Sequence, residues 1–105
     1  MSAPFQYVLL HRSDRTGVYV VQSAHAASEA IRVAPVRKDT RVCALVAESS
    51  EEIERVSREL TAAGIHHSLV REDKPPFVGV ATGLATEPQV KENVERFFKG
   101  FRLIP

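Results

Sequence analysis

The residues with the clearest capacity for chemistry lie in one short segment, Gln22-Ser23-Ala24-His25-Ala26-Ala27. His25 carries an imidazole, which titrates near neutral pH and can position or deprotonate a water molecule. Gln22 lies three residues earlier, on a neighbouring part of the same predicted helix, where its amide could bind a polar ligand. The segment therefore indicates general acid–base chemistry beside a polar cleft. The alternative is a hydrogen-bonded structural histidine and a solvated glutamine.

Charged residues near the predicted strand ends form a second group of candidates. Glu72 and Asp73 could orient a water molecule or balance the charge of Arg71, and the alternative is a solvated loop. Cationic side chains at the same end of the predicted sheet indicate a phosphate-binding patch, with scattered surface charge as the alternative. The members of this predicted patch are Arg12, Arg15, Arg71 and Lys74.

Four strands and three helices are predicted to position these residues. The strands cover residues 6–12, 41–47, 66–71 and 77–84. Strands 1 to 2 and 2 to 3 are joined through helices, so these crossovers should be parallel and right-handed. Strand 4 follows after a handful of residues, too few for a parallel crossover, so it must run antiparallel. The predicted fold is a three-layer α/β/α domain over residues 1–105, with a four-stranded mixed sheet whose fourth strand is antiparallel to the others.

The helices are predicted from apolar periodicity and from signals at their ends. The first covers residues 18–32. For the second, Ser49 and Glu52 form a capping box, and Gly64 is placed for a left-handed C-terminal cap. Thr86 is predicted to cap the last helix, in which the residues that share an apolar face are Val90, Val94, Phe97 and Phe101.

The predicted topology brings three segments to one end of the sheet. These segments are residues 12–17 with the helix start that follows them, Glu48 after strand 2, and residues 71–74 after strand 3. In open α/β sheets, ligands bind in the crevice outside the carboxyl ends of the strands. Any site is therefore expected at this end.

Composition places few limits on function. The net charge of +1 neither supports nor excludes a nucleic-acid partner, because a binding face needs only a local basic patch. The single cysteine, Cys43, lies in an apolar strand and is expected to be a buried, inert thiol. His66 and His67 are adjacent on a strand and should point to opposite faces, so no metal site is predicted. With no membrane-spanning stretch and no secretory signal, a cytoplasmic protein is expected.

Several segments resemble the type 2 peptidyl-tRNA hydrolases. Residues 22–27 resemble the family's glutamine-x-serine-histidine-alanine-alanine helix, with Ala24 where the family has serine. Residues 40–53 are similar to its second strand and capped helix, and residues 65–72 to its third strand, which ends in an acidic residue. The tail Phe101-Arg102-Leu103 is similar to the divergent branch called peptidyl-tRNA hydrolase domain-containing proteins.

The resemblance implies hydrolysis of the ester between a peptide and tRNA, with tRNA or peptidyl-tRNA as the partner and no metal or organic cofactor. It implies that His25 and Glu72 lie near the reacting ester. Substrate binding would fall to Gln22 and Ser23 together with the predicted basic patch.

Two segments depart from the family pattern. Val18 stands where the typical enzymes have a lysine, and residues 72–76 replace an aspartate and a loop rich in glycine, threonine and glutamine. These departures favour an alternative, a catalytically silent RNA-binding protein with the same fold. A further alternative is a homodimeric interaction module that uses an exposed sheet face or the Phe97-Phe98-Phe101 helix.

Overall fold

The computed structural model describes residues 4–13, 26, 40–73, 75–76 and 78–104. The strands are β1 (Phe5–His11), β2 (Arg41–Ala47), β3 (His67–Arg71), β4 (Ala81–Thr86) and β5 (Arg102–Leu103). The helices are α1 (Ser50–Ala62) and α2 (Lys91–Val94), and a 3-10 turn (Glu95–Phe98) follows α2 directly. The helix predicted over residues 18–32 lies outside the described residues except for Ala26, whose backbone is helical.

The strands form one mixed sheet in the order β3-β4-β1-β2-β5. β1 and β2 are parallel, whereas β4 is antiparallel to both of its neighbours, β1 and β3. The predicted direction of the fourth strand is therefore confirmed. The prediction of four strands is wrong, because β5 pairs antiparallel with the outer side of β2. A strand of two residues shows no alternation in the sequence, and Gly100, at a φ of +89°, supplies the turn before it.

The connection from β3 to β4 also differs from its prediction. The Glu72 amide donates to the Val80 carbonyl at 2.9 Å, and the Gly79 amide donates to the Glu72 carbonyl at 2.8 Å. The chain therefore doubles back immediately after β3. Residues 78–80, predicted as part of strand 4, belong to this return, and β4 runs on to Thr86 instead of ending at Leu84.

Apolar side chains cover both faces of the sheet. We call the side on which α1 packs the α1 face, and its fully buried residues include Leu9, Leu84, Ile53 and Leu60. We call the opposite side the Ala26 face, where Ala26 packs in a cluster with Val8, Leu10 and Val46. Burial on both sides is what the unbroken apolar pattern of β2 predicts. The layer expected over the Ala26 face lies outside the described residues apart from Ala26 itself.

Local signals in the sequence explain both ends of α1. The Ser49 hydroxyl accepts from the Glu52 amide at 3.3 Å, as the predicted capping box requires. The Glu52 carboxylate accepts from the amide of Glu48 at 2.9 Å, one residue before the position that a standard box uses. At the other end, Gly64 adopts a φ of +74° and the Ile65 amide donates to the Leu60 carbonyl at 2.9 Å, so the predicted left-handed cap is confirmed.

The prediction of the last helix is wrong at its start. Thr86 ends β4 instead of capping a helix, and its hydroxyl accepts from the Tyr7 amide at 3.0 Å. The helix begins at Lys91, so Val90 lies before its first turn and is exposed.

The rest of the predicted apolar face does meet the core. Val94 is buried, and Phe97 and Phe101 pack half-buried against the same cluster. Phe98, in the 3-10 turn, was not predicted as part of that face, yet it is buried and stacks on Tyr7 with ring centroids 4.6 Å apart.

Candidate functional site

Three strands of the sheet end together. Because β1, β2 and β3 all run in the same direction, their last residues His11, Ala47 and Arg71 lie at one end of the sheet, as predicted. We call this the carboxyl end of the sheet. The order of strands places β4 between β1 and β3, so the ends of β1 and β3 are separated by two strand spacings, roughly 10 Å.

At the carboxyl end, Arg12, Glu48 and Arg102 form a group that we call the arginine–glutamate cluster. One Glu48 oxygen lies 3.0 Å from the Arg102 guanidinium, and the other lies 3.6 Å from the Arg12 guanidinium. The backbone fixes both arginines: the Arg12 amide donates to the Ala47 carbonyl at 2.8 Å, and Arg102 lies opposite Val46 in the β2–β5 register. Residues far apart in the sequence therefore share one carboxylate.

The arginine–glutamate cluster belongs to the Ala26 face. Leu10 and Val46 are register partners, and both are buried with Ala26. Since side chains alternate along a strand, Arg12 and Glu48, two residues further on, fall on the same side. Arg102 is the register partner of Val46 and lies on this side as well. The cluster is thus on the face that meets the chain next to His25.

Ala26 itself is held closely against the sheet. The Ser68 hydroxyl on β3 donates to the Ala26 carbonyl at 2.8 Å. Gly83 on β4 lies under the same cluster: a Cβ built there would lie 3.1 Å from a Leu10 methyl and at an ordinary contact distance of 4.0 Å from the Ala26 Cβ. His25, Gln22 and Ser23 lie outside the described residues, as do Arg15 and Lys74.

Arg71, the last residue of β3, lies at the same end of the sheet as Arg12 but on the opposite face. Its guanidinium donates to the Glu54 carboxylate of α1 at 2.6 Å and to the Gly79 carbonyl at 2.9 Å. The hydrogen bond from Arg71 lowers the pKa of Glu54 below its ordinary value and raises the pKa of Arg71. The structure therefore does not bring Arg12 and Arg71 together, and Arg71 already has an anionic partner.

Glu72 follows the last residue of β3 and begins the segment that was predicted to be a loop. Its side chain is half-buried, and its carboxylate accepts from the amide of Asp73 at 3.0 Å. It lies about two strand spacings from Arg12 across the carboxyl end. The structure thus places Glu72 at the expected end of the sheet, separated from the arginine–glutamate cluster by the start of β4.

His11, the last residue of β1, has its Nδ1 2.9 Å from the Arg12 carbonyl, whereas His66 and His67 lie at the other end of β3. His67 Nδ1 lies 2.9 Å from the Ile65 carbonyl and Nε2 lies 2.8 Å from the Ser57 hydroxyl. Because a carbonyl only accepts, Nδ1 carries the proton in its contact with Ile65. A surface groove of about 450 Å³ lies beside this pair, and its lining residues are Thr61, Gly64, Ile65, His66 and His67.

Neither metal binding nor thiol chemistry finds support in the described part of the chain. There, no three His, Cys, Asp or Glu side chains are grouped so that they could hold a metal ion. Cys43 is half-buried rather than fully buried. Burial raises the pKa of its thiol, and nearby Lys91 offsets only part of that shift, so the thiolate is disfavoured.

Sequence reasoning missed Arg102 as a site residue. The tail that contains Arg102 was noted only for its similarity to a family. A strand of two residues carries no sequence pattern that would reveal its pairing with β2, more than fifty positions earlier. Glu48 was expected at this end of the sheet. Its contact with two arginines depends on β5 and was not predicted.

A mixed α/β sheet with a polar carboxyl end and a capped helix on one face is typical of domains that bind ligands beside their strand ends. The model of the family described as peptidyl-tRNA hydrolase PTH2 matches residues 7–104. This chain therefore belongs to the peptidyl-tRNA hydrolase PTH2 family. No curated protein matches the chain significantly. Within the described ranges, no helix has the length and apolar character needed to span a membrane.

Proposed function

We propose that this protein hydrolyses the ester that joins a peptide to tRNA. The observation that carries the proposal is the family match, which runs through nearly the whole chain, residues 7–104. The exposed arginine–glutamate cluster adds support, because it offers cationic groups for RNA on the face next to Ala26.

In the proposed reaction, His25 takes a proton from a water molecule whose oxygen bonds to the ester carbonyl carbon. The ester carbon–oxygen bond then breaks, and the ribose oxygen leaves with a proton returned from the imidazole. Glu72 orients the water or the imidazole from across the carboxyl end. Gln22 and Ser23 bind the substrate near the ester. Phosphates are bound by Arg12 together with Arg15 and Lys74, whereas Arg71, which pairs with Glu54 on the opposite face, takes no part.

The finer architecture also belongs to this proposal. We place a helix over residues 18–32 on the Ala26 face, which would complete three layers in one domain over residues 1–105. Because the substrate arises in translation, the proposed setting is the cytoplasm. A homodimer stays a prediction, and its suggested surface is smaller than expected because Phe98 is buried against Tyr7.

The test is a deacylation assay on peptidyl-tRNA with the wild-type protein, His25→Ala and the control His66→Ala. We expect wild-type turnover, a loss of about 10²–10⁴-fold in His25→Ala, and near wild-type turnover in the control. His66 is a suitable control because it lines the groove at the far end of β3.

Absence of wild-type turnover would contradict the hydrolase proposal. If salt-dependent binding of tRNA persisted in that case, the silent RNA-binding protein would replace it. Equal turnover of wild type and His25→Ala would leave hydrolysis standing but remove His25 from it.

A further inference from the structure

We infer that Arg12 and Arg102 together bind one phosphodiester of the RNA substrate, and that Glu48 occupies this position when RNA is absent. The inference rests on the proposed function, because it assigns the RNA to the arginine–glutamate cluster. It names a binding residue, Arg102, and an internal competitor, Glu48, for that same site.

The two oxygens of the Glu48 carboxylate face different guanidiniums, at 3.0 Å from Arg102 and 3.6 Å from Arg12. A carboxylate held in this way occupies the position of a phosphate group, which presents similar anionic oxygens to arginine. Guanidinium groups bind phosphate through paired hydrogen bonds, whereas each arginine here has a single contact with the carboxylate. A phosphate would therefore use donors that Glu48 leaves unused.

The side chains of Arg12, Glu48 and Arg102 are 66%, 54% and 64% exposed. Ion pairs as exposed as these contribute little to stability, so an arriving anion displaces Glu48 at small cost. Two guanidiniums with one carboxylate also leave one positive charge unmatched within the cluster. The nearby Glu52 carboxylate is already engaged by the amide of Glu48 at the start of α1.

The cluster lies on the Ala26 face at the carboxyl end, one side-chain repeat of roughly 7 Å beyond Leu10 and Val46. It shares that face with Ala26, the residue that follows His25 in the sequence, but it lies at the rim of the sheet. Arg102 is thus a substrate-binding residue that acts on the RNA backbone, away from the bond that breaks.

The experiment measures binding of fluorescently labelled deacylated tRNA by the full chain at several salt concentrations. The variants are Arg12→Gln, Arg102→Gln and Glu48→Gln. The matched controls are Arg55→Gln and Glu59→Gln, which alter another exposed arginine–glutamate pair, on α1, with a separation of 3.4 Å. Thermal unfolding of each variant establishes that it is folded.

We expect Arg12→Gln and Arg102→Gln each to weaken binding roughly fivefold and to reduce the salt slope by about 1. Glu48→Gln should tighten binding roughly threefold, since it removes the competing anion from the phosphate position. The two controls should bind like wild type.

Two results would overturn the inference: binding by Arg102→Gln that equals binding by Arg55→Gln, or weaker binding by Glu48→Gln than by Glu59→Gln. Absence of tRNA binding by the wild type would overturn it as well. The measurement uses tRNA without a peptide, so the hydrolase proposal is judged separately. Wild-type binding without turnover would remove only the hydrolase, whereas turnover with unchanged binding in Arg102→Gln would remove only this inference.

Discussion

On the α1 face, Arg71 donates to Glu54 at 2.6 Å and to the Gly79 carbonyl at 2.9 Å, so one guanidinium is matched by one carboxylate and one carbonyl. On the Ala26 face, two guanidiniums share the carboxylate of Glu48 at 3.0 Å and 3.6 Å. Among the described residues, arginine and glutamate are therefore matched one to one on the α1 face and two to one on the Ala26 face. The difference supports the proposal that charge on the α1 face serves the fold, while charge on the Ala26 face is available to a ligand.

The two faces also differ in the side chains that they bury. The α1 face buries leucines and isoleucine together with Phe98, and its aromatic stack on Tyr7 is nearly parallel, at 5°. The Ala26 face buries valines and Leu10 beside the smaller Ala26 and Ala85, and it has no aromatic stack among the described residues. Substitutions on the two faces should therefore have different consequences for stability and for binding.

The largest effect is expected from Phe98→Ala, which removes the ring that stacks on Tyr7. Because Phe98 is 4% exposed, its loss should lower the free energy of unfolding by about 3–5 kcal/mol. Urea unfolding measures this, and the half-buried Phe97→Ala serves as a smaller matched change. Equal losses in the two variants would contradict the assignment of Phe98 to the core.

Gly83→Val tests how tightly the Ala26 face is packed. The new side chain would meet Leu10, already 3.1 Å from a built Cβ, and should cost about 1–3 kcal/mol of unfolding free energy. The neighbouring Thr82→Val, whose side chain is half-buried on the other side of the strand, is the control in the same urea experiment. An unchanged unfolding midpoint in Gly83→Val would mean that the two faces are equally tolerant.

Glu54 gives a pH-dependent test of the matched pair. Because Arg71 lowers the pKa of Glu54 in the folded protein, the pair stabilises the fold above the ordinary value of 4.5, and this stabilisation is lost as pH falls through the lowered pKa. Glu54→Gln should therefore lose less stability than wild type on acidification. Melting temperatures measured from neutral pH down to acid pH provide the comparison. Parallel curves for the two proteins would show that the pair contributes nothing.

The smallest effect on stability is expected from Glu48→Gln. Since its two ion pairs are exposed, the change in unfolding free energy at neutral pH should stay within about 0.5 kcal/mol. Urea unfolding of Glu54→Gln at the same pH provides the comparison with the matched pair on the α1 face. A clear destabilisation by Glu48→Gln would assign the arginine–glutamate cluster to the fold rather than to a ligand.

Features with local causes were predictable from the sequence. β2 occupies the predicted residues because polar residues flank its apolar run at both ends. α1 begins after its N-cap residue, Ser49, and ends before Gly64, which adopts the left-handed conformation of a C-terminal cap. The antiparallel direction of β4 followed from the length of its connection. The common end of β1, β2 and β3 followed from the same reasoning, which is why Arg12 and Glu48 were expected there.

Features that depend on distant partners were not predictable. Thr86 has the residue type of a helix cap, but the amide of Tyr7, far away in the sequence, holds it in β4. β5 exists because β2 offers an open side, and Arg102 enters the candidate site only through that pairing. Arg71 was expected beside Arg12 because both lie at the ends of strands. Side chains alternate between the two faces along each strand, so Arg12 falls on the Ala26 face and Arg71 on the α1 face. On that face α1 offers Arg71 the carboxylate of Glu54.

The Ser68 hydroxyl on β3 holds the backbone carbonyl of Ala26 at 2.8 Å, and Ala26 is the residue that follows His25 in the sequence. If His25 acts as proposed, a single hydroxyl in the sheet anchors the chain next to the catalytic group without touching the substrate. Tuning of the reaction would then be sought in the sheet as much as in the residues that contact the ester.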